Sequence, residues 1–260
     1  MATALIKPEL EAGAAARQPH PSIPPEHLPN YDALVTEDDQ PVDNTISERQ
    51  MRLLADALYA SWQRPGEDKR FLAFANVGLF YSVYSPPLVP DFLLSLDVDP
   101  PTGNLMEKRN RSYFIWEYGK PPEVVIEIVS NRAGGEDTSK LSAYARIGVM
   151  YYAIFDPNEE LRAGVLRVYE LSSLRRYEAL SKPWLSAVGL GLTLWEGVYQ
   201  DVSARWLRWC DREGNLLLTG AERAEQEHQR AEQAEARIAR LVAQLRAAGI
   251  EPANGEPHVQ

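Results

Sequence analysis

The chain has 260 residues, 45% of them hydrophobic, and a formal net charge of -10. That is enough apolar material for one good-sized core or a core with appendages, while the acidic balance is a poor footprint for a nonspecific nucleic-acid binder. The charge is uneven: residues 1–50 hold nine acids and three bases, so the rest of the chain carries only -4 and has room for a modest basic groove.

Residue types narrow the chemistry further. A single cysteine, Cys210, permits no internal disulfide and no multi-cysteine metal site, which suits a reducing cytoplasm. The four histidines are His20, His27, His228 and His258, so none lies between residues 28 and 227. A Ser-His-Asp or Cys-His site in the core is thereby excluded, and so is a His-ligated zinc. No apolar run approaches the length of a membrane span or a signal peptide. Catalysis in the core would have to use carboxylates, lysines, hydroxyls, a metal or water.

In chain order, residues 1–30 hold six prolines and read as a mobile tail, and residues 31–44 as an acidic extended arm. A helix begins near Asn44 to Glu48, with Ile46, Leu53, Leu54, Ala57 and Leu58 as its stripe and Asn44 or Ser47 as cap. Gly66 ends it. Strands are predicted over Phe71 to Tyr84, Leu88 to Val98 and Glu123 to Ser130. Gly134-Gly135 breaks the chain, and a helix follows whose apolar side is Leu141, Tyr144 and Ala145. A strand over Val149 to Phe155 closes on the turn Asp156-Pro157-Asn158, and two more are expected at Val165 to Leu171 and Arg175 to Leu180. This order predicts an α/β sandwich with a mixed sheet. Trp206 to Cys210 and Leu216 to Thr219 flank Asp211-Arg212-Glu213-Gly214 and suggest a small hairpin. Over 221–248 a heptad places Ala224, Ala231, Ile238 and Leu245 on one seam and Glu227, Ala234, Leu241 and Ala248 on the other, which predicts a coiled-coil helix and weak homodimerisation.

Glu127 is the most informative residue. It interrupts a run with apolar residues on both faces, Val124, Ile126 and Ile128 on one and Val125 and Val129 on the other, the mark of a central strand. Burying a polar group there without a partner costs roughly 2–7 kcal/mol, and a charge costs more. A cation, a metal or a catalytic task would compensate it. Asp91, after Pro90, and Lys140, 13 residues downstream, are candidates to join it. Two carboxylates suit Mg²⁺ or Mn²⁺, with the Ile128 carbonyl as a third oxygen, and a lysine can orient water or stabilise charge on a phosphate. The structural alternative is a buried Glu127–Lys140 ion pair. A Ser130–Lys140 nucleophile–base dyad would give a metal-independent hydrolase instead. Asp137 reads as the cap of the Lys140 helix. The stretch Lys108, Arg109, Arg111, Tyr113, Phe114 and Trp116 could contact a phosphate backbone and stack a base, or be a strand edge with solvated charges.

The run Pro90-Asp91, Val125-Ile126-Glu127-Ile128-Val129-Ser130, Asp137, Lys140, Tyr144, Gly148-Val149, Tyr152 and Asp156-Pro157 resembles the Uma-two family of the PD-(D/E)XK nuclease superfamily over roughly residues 45–200. The resemblance implies a restriction-endonuclease-like mixed β-sheet flanked by helices, and metal-dependent hydrolysis of DNA phosphodiester bonds. It implies Asp91 and Glu127 as metal ligands. Valine stands at position 129, where the superfamily lysine would be, and the following helix places Lys140 in that role. Glu48 corresponds to the auxiliary acid of many superfamily members, or is a helix-dipole partner. The expected organisation is an arm over 1–44, the nuclease-like domain over 45–200, a β-hairpin extension over 201–220, the coiled-coil helix over 221–248 and a tail over 249–260. The rival expectation is a catalytically silent scaffold acting through its coiled coil.

Overall fold

The computed structural model describes residues 30–31, 44–64, 70–130 and 135–249. The proline-rich head, the acidic arm over 32–43, Gly66, Gly134 and the tail beyond 249 lie outside them. In chain order the elements are α1 (Thr45–Ser61), β1 (Phe71–Ala75), β2 (Leu79–Phe80), β3 (Phe92–Leu96), β4 (Tyr113–Phe114), α2 (Ile115–Tyr118) and β5 (Val124–Ile128). A π-helical turn (Glu136–Lys140) then leads into α3 (Leu141–Ile147). After it come β6 (Tyr151–Phe155), β7 (Leu166–Leu171), β8 (Tyr177–Ala179), β9 (Trp184–Leu185), β10 (Leu190–Tyr199), β11 (Val202–Cys210) and α4 (Gly220–Ala247).

The main sheet has six strands in the order β1-β3-β5-β6-β7-β8. Its one parallel pair is β5 and β6, joined by the crossover through α3, and its other neighbours run antiparallel. This is the mixed α/β architecture expected, and it is consistent with a restriction-endonuclease-like fold. Every residue of β5 is buried, which is why its sequence lacks polar alternation. One face carries Val124, Ile126 and Ile128 against Leu54 and Leu58 of α1 and against Leu192, Leu207 and Trp209. The other carries Val125 and Val129 against Tyr113, Tyr144 and Tyr152.

Asn44 caps α1, its Oδ1 accepting the Ile46 and Ser47 amides at 2.9 and 2.8 Å. The long strand expected from Phe71 to Tyr84 is two short ones. Asn76 sits at φ 51, in the left-handed region, and turns the chain away from β3 just after its amide makes the last bond of that ladder, to the Asp91 carbonyl at 2.9 Å. The hairpin expected across Asp211 to Gly214 shrinks to a single bridge, Cys210 to Leu216. β11 pairs instead with β10, from Gly191↔Cys210 to Tyr199↔Val202. The turn between them puts Gln200 and Asp201 at positive φ, 47 and 62. Gln-Asp lacks the Asn-Gly or Asp-Gly signature of such a turn, so the sequence hides it. At Gly191 a Cβ would come within 2.8 Å of the Cys210 Sγ, so this close strand contact requires glycine.

Arg208 ties α4 to the hairpin. Its buried guanidinium donates to both oxygens of Glu222, at 2.9 and 2.7 Å, and to the Leu217 carbonyl at 2.8 Å. Glu222 also closes a capping box with Thr219. The described side chains of α4 are largely solvated, including Ile238, Leu241 and Leu245 at 61, 50 and 38% exposure. Among the described residues no helix is long and apolar enough to cross a membrane.

Candidate active site

Glu127 lies on the face of β5 opposite Ile126 and Ile128, towards α3. Its side chain is fully buried, and both oxygens are engaged. The Tyr144 hydroxyl donates to Oε1 at 2.6 Å and the Lys140 ammonium to Oε2 at 2.9 Å. Lys140 and Tyr144 are four residues apart across the join between the π-helical turn and α3, a spacing that sets them on one side of the chain. The register of β3 on β5 pairs Phe92 with Ile126. One step further along the antiparallel ladder, Asp91 stands opposite Glu127, so both lie on the same face of the sheet. Asp91 Oδ2 accepts the Ile128 amide at 2.6 Å where the ladder ends.

Burial sets the electrostatics. It pushes the Glu127 carboxyl up from 4.5 to about 8; Asp91 pushes the same way, and the opposing effects of Lys140 and Tyr144 do not cancel it. Burial pulls the Lys140 ammonium down, but the charge of Glu127 and its hydrogen bond, with Glu136 and Asp91 behind them, leave it above its usual value. The Tyr144 phenol is raised by burial and then by Glu127, so it stays a donor. Lys140 is 27% exposed, so its amine is within reach of the surface.

Glu136 is a member of this cluster that the sequence reading did not name. It is 6% exposed, and its Oε1 lies 3.4 Å from the Lys140 ammonium. The sequence places Tyr144 on the apolar side of its helix and in the family-like run, without marking it as a partner of Glu127. The available signal for both was their spacing from Lys140, four residues to either side.

The remaining candidates separate from the cluster. Glu48 pairs with Arg52, one turn along α1. That helix packs on the face of Ile126 and Ile128, away from the Glu127 side chain. The Asp137 carboxylate does not cap the helix; it faces Arg167 at 3.7 Å, and the turn starts from Gly135 at φ 72. Lys140 faces two carboxylates that keep it protonated, so it is a poor base for Ser130. The basic aromatic stretch turns inward. Tyr113 and Phe114 are fully buried and cannot stack a base, and Arg109 pairs with the buried Glu117 at 2.9 Å. Tyr113 and Phe114 serve the core, and Arg109 is the counterion of Glu117. A cavity of about 470 Å³ between Trp62, Leu217, Arg223 and Arg230 contains none of the cluster.

The Uma2 family, described as "Putative restriction endonuclease", matches residues 38–198, more than half of the chain. The chain belongs to the Uma2 family. No curated protein matches it. Membership supports a nuclease-like function, and Asp91, Glu127 and Lys140 fall within the matched segment, whereas β11 and α4 lie beyond it.

Families of this kind usually use divalent metals, and the donor set fits one. Asp91 and Glu127 offer hard oxygens on one face. Among the described residues no group of three or more His, Cys, Asp or Glu side chains is arranged to hold a metal. Two carboxylates completed by main-chain, water and phosphate oxygens are what Mg²⁺ accepts, whereas a closed protein cage is not.

Proposed function

We propose that this Uma2 protein is a Mg²⁺- or Mn²⁺-dependent endonuclease that hydrolyses DNA phosphodiester bonds in the cytoplasm. The observation that carries the reading is a fully buried carboxylate, Glu127, gripped by Lys140 and Tyr144 with Asp91 one ladder step across. Desolvated in this way, Glu127 gains most from a divalent cation, which would restore its charged form. Asp91 and Glu127 would hold the ion, with the Ile128 carbonyl beside them. A bound divalent ion supplies Lewis-acid polarisation of the phosphate and acidifies a coordinated water. Lys140, partly exposed, can neutralise charge growing on the phosphate oxygens. Tyr144 fixes the rotamer of Glu127 and, as a donor, favours its ionised form. With histidine missing from 28–227, these groups carry the proton and charge handling.

The assay is cleavage of supercoiled plasmid in Mg²⁺ or Mn²⁺, with Mn²⁺ calorimetry beside it. Glu127→Gln and Asp91→Ala should each lower cleavage by at least about a hundredfold, and Asp91→Ala should weaken Mn²⁺ binding. Full cleavage in excess chelator, or equal cleavage by Glu127→Gln, would sink the reading. A homodimer through Ile238, Leu241 and Leu245 of α4 would supply two sites for two strands. The solvated apolar seam of α4 also favours a second reading, a silent scaffold, which requires wild-type protein that neither cleaves nor binds Mn²⁺.

A further inference from the structure

Glu136 has no task in the scheme above, yet it occupies an expensive position. It is 6% exposed. Its Oε2 is buried with no hydrogen-bond partner among the described residues, and Oε1 reaches only the Lys140 ammonium, at 3.4 Å. Leaving a buried polar atom unsatisfied is costly, more so for a charged group. The chain nevertheless fixes this residue firmly. The Tyr152 hydroxyl, itself buried, donates to the Glu136 carbonyl at 2.8 Å. The Lys140 amide reaches back five residues to the Gly135 carbonyl at 3.0 Å, which widens the turn to π geometry. Such turns recur at functional sites. Gly135 starts it at φ 72, where a Cβ would also meet the Ser139 Oγ at 2.5 Å.

Lys140 thus stands between two buried carboxylates, 2.9 Å from Glu127 and 3.4 Å from Glu136. A divalent cation on Glu127 would draw that carboxylate's charge to itself and repel the ammonium beside it. Without a second counter-charge Lys140 would leave the site or compete with the ion for Glu127. A direct ligand role for Glu136 is disfavoured, because no three acidic side chains among the described residues are grouped to hold a metal.

We infer that Glu136 is a positioning residue: it holds the Lys140 ammonium in the site while Glu127 binds the divalent cation. The inference rests on the metal-dependent reading of Asp91 and Glu127. Glu136 then acts through Lys140 alone, and its influence on the ion disappears when the ammonium does.

A double-mutant cycle on the full chain tests this, with Mn²⁺ affinity by calorimetry as the main readout and plasmid cleavage as the second. The four proteins are wild type, Glu136→Gln, Lys140→Met and the double variant. Glu136→Gln should weaken Mn²⁺ binding about tenfold, the low end for groups that orient ligands from outside. In the Lys140→Met background the same change should alter affinity by less than about twofold, because no ammonium is left to displace. A tenfold loss that persists with Lys140→Met would make Glu136 a direct ligand and overturn the inference, as would no loss in either background. Should Glu136→Gln fail to fold, Glu136→Ala gives the same cycle without an amide at that site. Wild type that binds no Mn²⁺ defeats the metal reading itself, and this inference with it. Wild type that binds Mn²⁺ with an uncoupled cycle defeats only the role of Glu136.

Discussion

Replacing Glu127 by glutamine should change how stability responds to pH, and by an amount the structure sets. Burial raises this carboxyl from 4.5 to about 8. Between those values the unfolded chain has released its proton and the folded chain still holds it. The unfolded state therefore binds fewer protons, and stability falls as pH rises. The stabilising contribution is complete below pH 4.5 and is lost by pH 8. Each pH unit in that window is worth about 1.4 kcal/mol, so wild type should lose about 4 kcal/mol between pH 5 and pH 8 through this one group. Glutamine keeps the shape and cannot ionise. Lys140 is shifted upward and stays protonated across the same window. Urea unfolding followed by circular dichroism, for wild type and Glu127→Gln at half-unit pH steps, isolates the effect, because other titrations cancel in the difference. The stability difference should move by about 4 kcal/mol in favour of the variant as pH rises. Mn²⁺ at a hundred times its dissociation constant should then return about 2.7 kcal/mol to wild type at pH 8 and nothing to the variant. Parallel curves, with a difference constant to within about 1 kcal/mol, would mean that Lys140 and Tyr144 keep Glu127 ionised throughout, and would refute the argument from burial.

Three further outcomes follow from other contacts. Tyr144→Phe removes the 2.6 Å hydrogen bond to Glu127 and should cost about 1–3 kcal/mol in urea unfolding, since the partner is charged or strongly polar; a cost near zero would show that water replaces the phenol. Arg208→Met leaves Glu222 without its two guanidinium bonds and should cost about 3 kcal/mol, toward the low end because Glu222 is partly solvated; calorimetric melting reads it, and an unchanged midpoint would count against the tie between α4 and the hairpin. A chain ending at Gly220 should sediment as a monomer while the full chain associates weakly, because alanines at Ala224, Ala231 and Ala234 leave mainly Ile238, Leu241 and Leu245 to pair; equal subunit numbers would remove α4 as the assembly element.

Local pattern carries far in this chain where one residue reports one environment. The apolar run around Glu127 had to be a central strand, since no partly solvated strand would keep apolar residues on both faces. The α1 stripe and its Asn44 cap were legible for the same reason, as were β6 and β7, and α1 ends at Ser61 before the glycine expected to stop it. The β10–β11 hairpin was not legible, because Gln200 and Asp201 adopt positive φ without the residues that advertise it. The burial of Tyr113 and Phe114 was not legible either, because the basic residues beside them fit a nucleic-acid contact or a strand edge with solvated charges equally well.

By itself, then, the sequence determined the chemistry available: a buried acid, a lysine downstream of it, a second acid after Pro90, and no histidine to do their work. Only the tertiary structure decided who stands beside whom. The antiparallel register of β3 on β5 puts Asp91 and Glu127 on one face. The π-helical turn after β5 and the α3 helix that continues it bring Lys140 and Tyr144 to the Glu127 carboxylate and Glu136 to the Lys140 ammonium. The same folding moves Glu48 to the far side of the sheet and turns Tyr113 into core. Such neighbours are far apart along the chain, and their pairing follows from strand order and from which face each element buries. Short-range sequence periodicity reports that a side chain is buried and leaves open what it is buried against.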